Sequence, residues 1–118
     1  ATGDPQHVPV GRYAQEALTW MGQWDALSHR LARADSVRSA MLLVERGEAP
    51  LGIVYETDAK VSQRVRVVGM FPKESHKPVS YPFAVVTKGD TPQAHELLAF
   101  LTGPEAIQVY ERLGFSVP

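Results

Sequence analysis

The residues able to do chemistry are few, and their spacing excludes most of it. His7, His29, His76 and His95 do not fall at the i,i+4 or short-loop intervals of a metal site. Folding would have to gather them from distant parts of the chain. Without cysteine there are no disulfides, thiolate ligands or Cys nucleophile. The serines at 28, 36, 39, 62, 75, 80 and 116 lie in no G-x-S-x-G turn, and neither a P-loop nor G-x-G-x-x-G occurs. Lys73, His76 and Lys77 cluster around Glu74, a pattern typical of a solvated loop. Two helix starts and Tyr55 are more informative, each with an ordinary structural reading beside the functional one.

Two helix starts, at Val10-Gly11 and Ser36-Val37, would present N–H groups without intrahelical partners and about half a positive charge each, a combination suited to anions. Pro9 sets the chain direction, and Gly11 allows close approach without a Cβ. Every helix has such an end, though, and a capping side chain or water serves it equally well. Tyr55 ends an apolar run, and ligands in open α/β sheets lie just beyond the carboxyl ends of strands. A core tyrosine with a satisfied hydroxyl fits that position as well.

The elements that would position these groups follow from periodicity. Tyr13, Ala14, Ala17, Leu18 and Met21 recur at helical spacing after Asp4-Pro5 and Val8-Pro9, which predicts a helix over 10–21. Leu31 to Ala34 reads as a short strand, and Asp35 or Ser36 as the cap of a helix through Val37, Ala40, Met41 and Val44 that stops at Gly47. Leu51-Gly52-Ile53-Val54-Tyr55 is continuous and apolar, as a strand buried on both faces of a mostly parallel sheet would be. A helical turn over 57–62, a strand over 65–69, a loop over 72–78 and an edge or crossing strand over 79–87 follow. Helices from Thr91-Pro92 to about 101 and from Pro104 to Gly114 close the chain. Helix followed by strand at this spacing defines an α/β fold.

The 118 residues fit one domain, and 44% hydrophobic residues suffice for a core. Twelve basic residues nearly cancel thirteen acidic ones, so no long-range field draws nucleic acid, and a bound anion must be held locally. No apolar run reaches the roughly 18 residues of a membrane span, nor does the chain open on a signal peptide. Beginning at Ala1 with Thr2-Gly3-Asp4-Pro5, it reads as a piece of something longer.

Gly3-Asp4-Pro5-Gln6-His7-Val8-Pro9-Val10-Gly11-Arg12-Tyr13-Ala14 resembles the segment that opens the second lobe of periplasmic molybdate-binding proteins. Asp35-Ser36-Val37-Arg38-Ser39-Ala40 and Val44 through Tyr55 are similar to that family's second binding helix and the strand after it. Phe71 to Lys77, Tyr81-Pro82 and Gly103-Pro104-Glu105-Ala106 continue the likeness in collinear order. The resemblance implies an α/β chain forming the second lobe plus C-terminal helices of a two-lobed, type II periplasmic binding protein fold. It places the second lobe at 1–82, with 83–118 as a return segment and helices packed on a first lobe that this chain lacks.

The implied function is the substrate-binding component of an ABC importer, periplasmic and not an enzyme, with no cofactor and molybdate or tungstate as ligand. By the same resemblance the oxyanion is held by the Val10 and Val37 amides and the Tyr55 hydroxyl, with no side chain as a direct metal ligand. Two serines from the first lobe would complete the site. An alanine is common where Val10 stands, and since that contact uses the main chain, valine narrows the pocket without removing a donor. The implied partners are the permease membrane subunits and the missing N-terminal lobe. The uncovered apolar surface also invites self-association, while nucleic acid is not among the expected partners.

A fully ionised tetrahedral dianion accepts hydrogen bonds and donates none, so neutral donors suffice and a protonated phosphate finds no acceptor. Sulfate, of the same shape and charge, is rejected only by size. Arg12 and Arg38 adjoin the donors, but their side chains point elsewhere on the helices, toward solvent or the lobe surface. A lobe of a sulfate-type receptor, or the ligand-sensing effector domain of a transcription regulator, would share these features.

Overall fold

Val8 is extended (φ −113°, ψ 127°) and Pro9 follows with its φ already helical and no amide to leave unpaired, so a helix starts there. This is α1, Pro9–Trp20, which buries Val10, Gly11, Ala14, Ala17 and Leu18 on one face. The computed structural model describes residues 1–118. α1 ends as the Gly22 amide donates to Thr19 O and the Gln23 amide to Leu18 O, with Gly22 at φ 70°. That pair of bonds needs a left-handed residue, and glycine supplies it without Cβ strain. The same closure recurs at Gly47 (φ 74°) and Gly114 (φ 96°).

A single turn, α2 (Trp24–Leu27), leads through a 3-10 turn at Ser28–Arg30 to strand β2, Arg33–Ala34. Strand β1, Thr2–Gly3, pairs with it in parallel, Thr2 opposite Arg33 and Gly3 opposite Ala34. Helix α3, Val37–Glu45, starts at Ser36, whose hydroxyl accepts the Ser39 amide at 3.1 Å. Between the two alternative caps read from sequence, Ser36 serves, while Asp35 accepts from the Ser39 hydroxyl at 2.7 Å. Helix α4, Glu56–Val61, begins directly after Tyr55, and the Ser62 hydroxyl at its end hydrogen-bonds Glu45 of α3.

The expected strands form only in part. Leu51–Tyr55 is not a ladder strand: it pairs with Ala1 alone, whose amine donates to Leu51 O at 2.7 Å and whose carbonyl accepts the Ile53 amide at 2.9 Å. Residues 65–69 and 79–87 form no strand, and their only regular piece is a 3-10 turn at Thr87–Gly89. Alternation and apolar runs report which faces a strand would bury, but a ladder also needs a neighbour, and none pairs with these segments. The 72–78 loop contains a 3-10 turn at Lys73–Ser75.

The chain divides into two compact units, 1–78 and 79–118. In the first, β1 packs against both α1 and α3. The approach of α1 is close: a Cβ on Gly11 would lie 2.0 Å from the Gly3 carbonyl oxygen. Thr2 is fully buried, its hydroxyl donating to Ile53 O at 2.9 Å. In the second unit, α5 (Pro92–Leu101) is capped by the Thr91 hydroxyl and packs on α6 (Pro104–Arg112). Tyr110 donates to Leu101 O at 3.0 Å, and Tyr81 meets Phe115 edge-on at 5.7 Å. Ala106 is the one buried hydrophobic residue of this unit. The sequence division at 82/83 concerned membership of lobes, a different property from compactness.

Candidate functional site

The bonds of Leu51 O and the Ile53 amide to the two sides of Ala1 follow the parallel pattern, in which one residue donates to the residue before its partner and accepts from the residue after it. β2 is parallel to β1 on its own bonds. Leu51–Tyr55, β1 and β2 therefore run in one direction and end at one edge. From that edge Gly3 leads through the Asp4–Val8 turn into α1, Ala34 leads through Asp35-Ser36 into α3, and Tyr55 leads directly into α4. The three residues read from sequence all stand where these segments turn into helices.

Their local bonding differs. In α1 the Gly11 and Arg12 amides both turn back to Val8 O, at 3.0 and 3.3 Å, and no carbonyl of the chain accepts from Val10. Val10 is itself 3% exposed, with its side chain packed on Gly3, so what it can offer a ligand is its main chain. In α3 the Ser36 hydroxyl takes the Ser39 amide and the Ser36 carbonyl takes the Ala40 amide. Val37 and Arg38 lie in the first turn, where an amide has no intrahelical acceptor. Only α3 carries a side-chain cap, and at both helix ends a first-turn amide remains without an intrahelical acceptor.

Tyr55 is half-buried, and its ring meets Tyr13 of α1 edge-on, centroids 6.4 Å apart at 65°. Tyr13 in turn meets His76 at 5.9 Å and 70°. The His76 ring bonds Lys77 O at 2.8 Å, and the Lys77 amide donates to Glu16 of α1 at 2.8 Å. Sequence reading missed this cluster, since Tyr13 looked like one member of an apolar stripe and His76 like part of a solvated loop. The one signal was that Tyr13 lies three residues beyond Val10, on the same helix face.

The charges nearby are mixed. Asp4 accepts the Gln6 amide at 3.0 Å and Asp35 the Ser39 hydroxyl, so each carboxylate caps its own turn and at the same time opposes an anion. Arg12 bends back to Gln6 O at 3.4 Å, and Arg38 is exposed. Of the other histidines, His95 pairs with Asp90 at 2.6 Å in the second unit. Two surface depressions, one beside Met41, Leu42 and Val61 and one beside Thr19, Trp20 and Glu74, include none of Val10, Val37 and Tyr55.

Parallel segments with helix N-termini and a tyrosine at their carboxyl edge are the arrangement of an α/β ligand-binding lobe. The chain belongs to the bacterial extracellular solute-binding proteins, whose family profile matches residues 1–116. It is 51% identical over 117 residues to the molybdate-binding protein ModA of Escherichia coli (strain K12), covering 99% of this chain and 46% of that protein. A solved substrate-binding domain from Clostridium difficile, assigned to a molybdenum ABC transporter, superposes with a TM-score of 0.84 at 28% identity, over 99% of this chain and 52% of that one. The periplasmic molybdate-binding protein of Azotobacter vinelandii does so with a TM-score of 0.73 at 25% identity, over 99% and 53%. The chain spans about half the length of the curated relatives it matches. The α/β class and the two-lobed fold type expected from sequence hold, this chain being part of such a fold. These relatives are binding proteins, and a more distant one, 33% identical over 105 residues and covered to 40% of its length, is an aconitate isomerase from Pseudomonas.

Proposed function

We propose that the protein containing this chain is the periplasmic substrate-binding component of an ABC importer and that it captures molybdate or tungstate. The carrying observation is the shared edge: two helix ends with unused first-turn amides, at Val10 and Val37, and Tyr55 where a third parallel segment ends. These are three neutral donors. They suit a fully ionised tetrahedral dianion, which brings only acceptors. A desolvated dianion needs more than three hydrogen bonds, so the remaining donors come from the part of the relatives' length that this chain does not span. In this reading 1–82 forms one lobe, and 83–118 returns to pack on the other.

In this reading the protein binds and releases its ligand without turnover, as expected of a chain whose nearer relatives are binding proteins. Calorimetry on the full-length protein with molybdate, tungstate, sulfate and phosphate tests this directly. Tight binding of the first two, weak binding of sulfate and none of phosphate are expected. Equal affinity for sulfate would sink the molybdate assignment, and conversion of added aconitate would favour the isomerase relative instead.

A further inference from the structure

We propose that Tyr13 is a positioning residue for the Tyr55 hydroxyl, a role that rests on Tyr55 being an oxyanion donor. A tyrosine hydroxyl serves as a fixed donor only if its ring is held, since rotation about the Cα–Cβ bond swings the oxygen away from the ligand. Tyr55 caps a helix of six residues, α4, and its own segment is tied to the fold up to Ile53, through Ala1 and the Thr2 hydroxyl. That backbone alone is a weak anchor for a ring.

Tyr13 adds a restraint from a longer element. It stands on the twelve-residue α1, one turn after Val10, and presents its ring edge-on to Tyr55 at 6.4 Å. Its other flank is filled by His76 at 5.9 Å. The loop carrying His76 is fastened to the same face of α1, because Glu16, one turn beyond Tyr13, accepts the Lys77 amide. Ser75, 3% exposed, donates to Pro72 O at 2.6 Å and stiffens that loop from within. His76, Tyr13 and Tyr55 thus form a row of rings that starts on an anchored loop and ends on the donor. The helix that carries the Val10 amide also sets the position of the Tyr55 ring.

The test is molybdate affinity of the full-length protein in a double-mutant cycle. Edge-to-face pairs contribute about 0.5–1.5 kcal/mol beyond their area, so Tyr13→Leu should weaken binding roughly two- to twelvefold. Tyr13→Phe, which keeps the ring, should stay within about twofold of the parent. In a Tyr55→Phe background Tyr13→Leu should weaken binding no further, because the hydroxyl it positions is gone. A merely structural Tyr13 would lower the melting temperature and leave affinity unchanged, or weaken both backgrounds equally, and either result overturns the proposal. Should Tyr55→Phe bind molybdate as tightly as the parent, the reading of Tyr55 as a donor fails and Tyr13's role with it. Should Tyr13→Leu not fold, Tyr13→Met repeats the cycle with another ringless side chain.

Discussion

At the scale of single residues, main-chain and side-chain donors respond differently to mutation. Val10 and Val37 would act through amides that no substitution except proline removes, whereas Tyr55 would act through a hydroxyl that phenylalanine deletes while keeping the ring against Tyr13. A hydrogen bond to a charged group contributes about 1.5–3 kcal/mol, so Tyr55→Phe should weaken molybdate binding roughly ten- to a hundredfold, measured by calorimetry on the full-length protein. Val10→Ala should leave most of the affinity in place. It restores the residue common in the family that the sequence resembles, and the Val10 side chain faces Gly3. Gly11 within α1 and Gly47 after the end of α3 separate on similar grounds. Gly11→Ala gains about 1 kcal/mol of helix propensity, but its Cβ would meet the Gly3 carbonyl at 2.0 Å. Backbone cannot yield as a flexible side chain can, so a net loss of roughly 1–3 kcal/mol is expected in denaturant titration. Gly47→Ala meets nothing within 4 Å and suffers only the strain of φ 74°, about 1–2 kcal/mol.

At the scale of elements, the N-terminus of α3 joins stability to the site. Ser36→Ala removes the hydroxyl that takes the Ser39 amide, and should cost about 1 kcal/mol in a denaturant melt. It should also weaken molybdate binding, because a frayed first turn no longer holds the Val37 amide in place. Ser36→Asp keeps the cap, and adds a negative charge beside the anion, so stability and affinity should move in opposite directions. Helices were legible in the sequence because their causes are local. Pro9, Ser36, Thr91 and Pro104 mark starts, while Gly22, Gly47 and Gly114 supply the left-handed closures. Strands were legible only in part: β2 forms within the expected 31–34, whereas residues 65–69 and 79–87 carry the pattern without the neighbour that would pair with it. The candidate site followed the same division. Val10 and Val37 could be found from helix starts, whereas the row through His76, Tyr13 and Tyr55 joins residues 21 to 63 positions apart and exists only in the folded chain.

At the scale of the whole molecule, both compact units leave large apolar side chains exposed. Val61, Val68 and Met70 of the first unit are 72%, 71% and 64% exposed, and in the second Val86, Leu97 and Phe100 are 68%, 58% and 55% exposed. Contiguous exposed apolar patches mark surfaces that meet another protein surface or aggregate. The buried hydrophobic core is correspondingly small: six of its eight residues are alanine, the others being Val10 and Leu18. Expressed alone, the 118-residue chain should therefore self-associate, and sedimentation velocity at rising concentration should show mass increasing beyond the 13.0 kDa monomer. Its affinity for molybdate should be far below that of the full-length protein, because several charge-assisted hydrogen bonds of roughly 1.5–3 kcal/mol each are missing. Supplying the other half of the protein as a separate chain should reverse both effects together, restoring binding and dispersing the oligomers. A monodisperse monomer with sub-micromolar molybdate affinity would show instead that these 118 residues hold a complete site, and the assignment of the remaining donors to the other half would fall.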